Sequence, residues 1–254
     1  RPDASAARVA VPILAVLCLM SAAAATAQGM GWRTDGTGIY PQATPITTWS
    51  PEDNVLWATE LDGFTNSIPI IVGDKVFTLA EPGTLVCIDR NDGSILWQRE
   101  NKLEDLAEPA EVDKIAEAHK QAREWRQAIG KANGQMWKAK QDLQDKPEDE
   151  ALKAKIKELE EQVKGLQEKL KPYEESWYGL PDVHGTNGFT SATPVTDGER
   201  VYILLATGLA AAYDLDGNRL WARVVGKPRV QWGPSQSPLV CGDKLIVHPH
   251  DMLA

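Results

Sequence analysis

Residues 87–97 read CIDRNDGSILW and gather oxygen donors of the kind a calcium ion takes, with Asp89, Asn91 and Asp92 close together and Glu100 following. With Asp89 as the first position of an EF-hand loop, Asn91 falls third and Glu100 twelfth. The count then fails: Gly93 stands fifth, where a ligand belongs, and Ser94 stands sixth, where the sharp turn needs glycine. Of the four histidines, His248 and His250 flank Pro249, but no carboxylate or cysteine at metal-ligand spacing joins them. His119 falls among apolar positions of a predicted helix and reads as structural. His184, in DVHGTNG (182–188), precedes a predicted strand and is the one candidate binding residue. No nucleophile motif, phosphate loop or carboxylate pair is present, so no catalytic, cofactor-binding or metal-binding residue is assigned.

The elements that must position these residues form a repeat. SIPIIVGDKVFTLAEPGTLVCIDRNDGSILW (67–97) aligns with SATPVTDGERVYILLATGLAAAYDLDGNRLW (191–221). Gly73 and Gly198 each lie four residues after Pro69 and Pro194, and a third start at 237–248 places Gly242 four after Pro238. Each unit reads as short β-branched strands joined by Gly and Asp turns, ending at Trp97 or Trp221. Counted from Asp214, the twelfth position that Glu100 fills in the first unit falls on Val225 in the second. The repetition therefore keeps the turn and the tryptophan, not the ligands. Pro194 to Pro238 spans 44 residues, a period that fits one four-stranded propeller blade. Pro69 to Pro194 spans 125, which leaves 81 residues inserted.

The insertion is of another kind. Residues 101–172 hold 15 Lys/Arg, 16 Asp/Glu and no Phe. Leu152, Ile156, Leu159, Val163, Leu166 and Leu170 step by coiled-coil intervals. Val112, Ile115, His119, Ala122, Ile129, Met136 and Leu143 do the same, with Arg126, Asn133 and Lys140 at the intervening seam positions. The spacing predicts an antiparallel helical hairpin with its turn at 145–150 and its second helix ending at Pro172. Gly130 and Gly134 weaken the middle of the first helix. Such a hairpin is either a solvated decoration or an arm that docks another protein.

The N-terminus joins Arg1 and Arg8 to the apolar run 9–20 and the small residues 21–29. This is the pattern of a signal peptide over 1–27 with cleavage after Ala27, and it predicts a periplasmic or secreted protein. Left uncleaved, the same segment would be a membrane anchor, the one route to membrane association. The net charge of −9 argues against nucleic acid as a partner. Beyond Cys18 in the leader, Cys87 and Cys241 read as two buried free thiols, with a disulfide as the alternative.

Cys87-x-Asp89-x-x-Asp92-Gly93-x-x-x-Trp97 and Ala212-x-Asp214-x-Asp216-Gly217-x-x-x-Trp221 resemble the tryptophan-docking motif of pyrroloquinoline-quinone-like (PQQ-like) β-propellers. Asn54-Val55-Leu56-Trp57 resembles the end of such a unit, and Gly31-Trp32-Arg33 with Asp35-Gly36 the opening of exported members. The resemblance implies an all-β PQQ-like β-propeller of about three blades out of eight, cut short at its C-terminus, with the hairpin inserted. The organisation expected is 1–27 signal peptide, 28–100 closing strand and first blade, 101–181 hairpin, and 182–254 second blade and start of a third. In that scheme Asp89, Gly93, Asp214 and Gly217 shape turns, Trp97 and Trp221 dock the neighbouring blade, and His184 faces the channel. The family contains assembly scaffolds and quinoprotein dehydrogenases. The function expected is an exported, non-enzymatic scaffold that binds other proteins, with no cofactor. The alternative is a quinoprotein alcohol or sugar dehydrogenase using PQQ with calcium.

Overall fold

In the computed structural model, the described residues are 30–33, 37–41, 43–228, 232 and 236–248. The proposed leader with Ala27 and Cys18, the Asp35-Gly36 pair and His250 lie outside them. The first repeat unit forms an antiparallel sheet of β1 (Ile70–Val72), β2 (Lys75–Ala80), β3 (Thr84–Asp89) and β4 (Ile95–Glu100), paired in that order. Two helices follow, α1 (Val112–Asp145) and α2 (Glu150–Glu175). The second unit repeats the first sheet with β5 (Val195–Thr196), β6 (Arg200–Leu204), β7 (Leu209–Asp214) and β8 (Arg219–Val224). A hairpin of β9 (Leu239–Cys241) and β10 (Lys244–Ile246) completes the described elements.

The central strands are apolar on both faces because both faces are covered. Phe77, Leu79, Leu85 and Cys87 of the first sheet pack with Val201, Ile203, Leu209, Ala211 and Tyr213 of the second in one core. The alternate residues Val76, Ala80, Val86 and Ile88 are covered by Trp57 and Leu61. Leu204 and Ala210, on the other side of the second sheet, meet Leu245 and Val247. A period of two thus feeds two apolar layers from each strand.

The expected class needs correction. Sheets of four, four and two antiparallel strands stand beside helices of 34 and 26 residues, so the described chain is a mixed α and β structure and not an all-β propeller. The repeat pattern describes only the strand-forming units, whereas the helical pair holds more residues than all ten strands together.

The hairpin differs from its predicted form in two respects. Pro172 lies inside α2, which continues to Glu175. Pro172 is exposed and Tyr173 behind it is buried, so packing carries the helix past the missing N–H. Ala132 and Ala139 are buried on α1, while Asn133 and Lys140 are exposed. A straight helix of 3.6 residues per turn drifts against a 3.5-residue seam, and the alanines turn inward as the polar residues turn out. Lys140 instead reaches Glu160 across the pair at 3.0 Å. Gly130 and Gly134 do not interrupt the continuous α1. The turn ends as the sequence predicts: the Asp149 carboxylate accepts from the Ala151 and Leu152 N–H groups, a helix N-cap. Of the two thiols, both free, Cys87 is buried but Cys241 is exposed, because β9 is half of a two-stranded sheet.

Candidate functional site

The turn of the first unit is held by its own carboxylates. Asp89 Oδ1 accepts from the Asn91 N–H at 2.7 Å and Asp92 Oδ1 from the Ser94 N–H at 2.8 Å. In the second unit Asp214 accepts from the N–H groups of Asp216 and Asn218 and from the Asn218 side chain. The Asn218 bonds hold the Asp214 carboxyl below the ordinary range, and the Ser94 bonds do the same for Asp92. These oxygens are committed to turning the chain. Among the described residues no group of three or more His, Cys, Asp or Glu is placed to hold a metal ion.

Each turn presents a glycine to a tryptophan from the preceding unit. Gly93 has φ 76° and Gly217 φ 84°. A Cβ on Gly93 would lie 2.7 Å from the Trp57 ring, and one on Gly217 2.8 Å from Trp97. The Trp57 Nε1–H donates to the Arg90 carbonyl at 2.8 Å, and that of Trp97 to the Leu215 carbonyl at 3.3 Å. Thr59 Oγ1 bonds the Gly93 carbonyl, and Arg99 Nε bonds that of Gly217 at 2.7 Å. Trp221 is half-buried against Tyr202, beside Val247 and Leu245. Sequence patterning gives the turn residues and Trp97 but passes over Thr59 and Arg99, whose bonds to the Gly93 and Gly217 carbonyls cross from one unit to the next.

A second constellation lies at the base of the hairpin, where a 3-10 turn (Leu103–Leu106) leads into α1. His119 is 8% exposed; its Nδ1 lies 2.8 Å from Glu104 Oε1 and its Nε2 2.8 Å from the Tyr178 carbonyl. Each ring nitrogen thus has an oxygen of the hairpin base within hydrogen-bond distance. Arg126 Nη2 donates to Glu174 and to the Leu180 carbonyl, and its Nε, shielded from solvent, has no hydrogen-bond partner among the described residues. Lys227, after β8, donates to the carbonyls of Glu174, Ser176 and Gly179 at 3.0, 2.5 and 2.8 Å. A cation there meets the negative end of the α2 dipole. Burial holds the Lys227 ammonium below the ordinary lysine range, against the pull of Glu174. Arg219 pairs with Asp105 at 3.0 Å, and the buried Tyr213 hydroxyl donates to Asn101 at 2.6 Å.

Between this base and the sheets lies a cavity of about 630 Å³, with Leu103, Leu180 and Phe189 among its apolar lining and Arg123, Arg126 and Gln127 along α1. His119 also lines it. His184 does not: it is exposed in its loop, 4.9 Å from the Trp232 ring, and its Nδ1 accepts from the Thr186 N–H. The signal for this cavity was Arg126 itself, a charge at a seam position that had to find partners.

Residues 42–117 match the family model described as outer membrane protein assembly factor BamB, a PQQ-like repeat model. The match spans the segment leading into the first sheet, the sheet itself and the first residues of α1. A search of curated proteins found no match.

Proposed function

The chain carries a PQQ-like repeat, and from that premise we propose that it is an exported binding scaffold, with the helical hairpin as the arm that meets a partner protein. The observation that carries this reading is the hairpin's construction. Its base is seated by Lys227, His119 and Arg219, while α1 presents Trp137, 65% exposed, farther along the arm. A large aromatic held in water on a braced helix is the kind of residue that anchors protein contacts. The matched model's description as an assembly factor supports the same reading. Export rests on the leader pattern of residues 1–27, and among the described residues no helix is long and apolar enough to cross a membrane.

The test places a photoreactive residue at position 137 in cells that export the chain. One discrete crosslinked protein is expected, and none from the same residue at exposed position 199, in the turn between β5 and β6. Equal, diffuse crosslinking from both positions would remove the docking role. Incubation with pyrroloquinoline quinone, calcium and an alcohol or aldose should leave an electron-accepting dye unreduced; reduction would replace the scaffold reading with the quinoprotein one.

A further inference from the structure

We infer that the cavity at the base of the hairpin is a binding site for a neutral polyol the size of a single sugar ring. The volume, about 630 Å³, lies in the range of small-molecule sites. The lining is divided by chemistry. Leu103, Leu180 and Phe189 offer apolar surface, while Glu104 brings a carboxylate, Arg123 a guanidinium and Gln127 an amide.

The gap between these three groups selects the ligand. Glu104 Oε1 lies 2.8 Å from His119 Nδ1, and Arg123 stands one turn beyond His119 on α1, with Gln127 on the turn after that. Acid and base thus share one stretch of the wall, yet among the described residues no ion pair joins them. Glu104 Oε2, the Arg123 guanidinium and the Gln127 amide likewise have no hydrogen-bond partner among the described residues. A ligand set between them must donate to the carboxylate and accept from the guanidinium. An anion would put a second negative charge against Glu104, and an ammonium a second positive charge against Arg123. A hydroxyl donates and accepts through one oxygen, and a run of adjacent hydroxyls serves all three groups at once. An uncharged ligand also meets this wall equally well whether or not His119 is protonated. The C–H faces of the ring then lie on the apolar lining, out of water.

Such binding is independent of protein docking, whose readout is a crosslink from position 137, and of any dye reduction. The test is saturation-transfer NMR on the full chain with methyl β-D-glucopyranoside, cyclohexanol, benzoate and free leucine as probes. Saturable binding of the glycoside is expected. Cyclohexanol, which keeps a ring but only one hydroxyl, should bind roughly tenfold more weakly or worse, the range for lost hydrogen bonds to charged groups. Arg123→Ala should weaken the glycoside by a similar factor, and Gln127→Ala should weaken it too. Both positions are exposed, and an unchanged circular dichroism spectrum checks that the fold is kept. Added salt should leave glycoside binding unchanged, since the ligand is uncharged. Benzoate, an anion, and leucine, a zwitterion, should fail to displace it. Absence of saturation, equal binding of cyclohexanol, undiminished binding by both variants, a strong salt dependence, or displacement by benzoate or leucine would each overturn the assignment.

Discussion

At the scale of the residue, what distinguishes the turn glycines is the ring above them. Gly198 has φ 93° with nothing within 4 Å of an added Cβ, whereas Gly217 combines φ 84° with Trp97 at 2.8 Å. Alanine at 198 pays only for the left-handed backbone, about 1 kcal/mol. Alanine at 217 must also push the indole aside, so Gly217→Ala should lose roughly 2–4 kcal/mol in denaturant unfolding. Equal losses would mean that the ring does not bear on the turn. The turn carboxylates add a pH dependence of known sign. Asp92 and Asp214 are held below their ordinary values, so their contribution is complete above the unfolded carboxyl pKa of about 3.9 and is lost as pH falls through the lower folded values. Asp214→Asn should flatten part of the acid limb of a stability–pH curve; an unchanged limb would show that the turn is indifferent to that charge.

At the scale of the element, the hairpin behaves as an arm with a fixed root. Lys227→Met would leave the Glu174, Ser176 and Gly179 carbonyls without that donor and should cost about 1–3 kcal/mol, with hydrogen exchange quickening first at the end of α2. Removing 130–143 and 152–165, two heptads from each helix, keeps Ala122, Leu170 and Tyr173 and should leave the sheet transition in place. Loss of the sheet transition would mean that the distal arm supports the core. The helical pair was legible because its seam is apolar at a fixed spacing, as in Ile156, Leu159 and Leu170. Its continuation through Pro172 was not, since a local rule for proline does not contain the packing of Tyr173. The turns and their tryptophans were likewise legible from repetition. The cavity was not, because it joins residues from 82 to 207 that no motif links. The all-β class failed for a related reason: the pattern that recurs is the one that is noticed, and the helices occur once.

At the scale of the whole molecule, the two four-stranded sheets share one core, and Cys87 lies within it while Cys241 is exposed near the C-terminal end. This makes the cysteines reporters of two different openings. Burial pushes the Cys87 thiol up to about 11, so in the folded protein at pH 8 it is almost wholly protonated as well as shielded. Only the thiolate reacts, so Cys87 should be modified only when the shared core opens, at a rate that follows global unfolding. Cys241 should react with a maleimide promptly and independently of stability. Peptide-level mass spectrometry of a labelling time course separates the two sites. If the sheets open as one body, Gly217→Ala should speed Cys87 labelling in proportion to its loss of stability, although the substitution lies in the other sheet. Labelling of Cys87 that ignores Gly217→Ala would show that the first sheet opens alone and that the Trp97 contact does not couple the two.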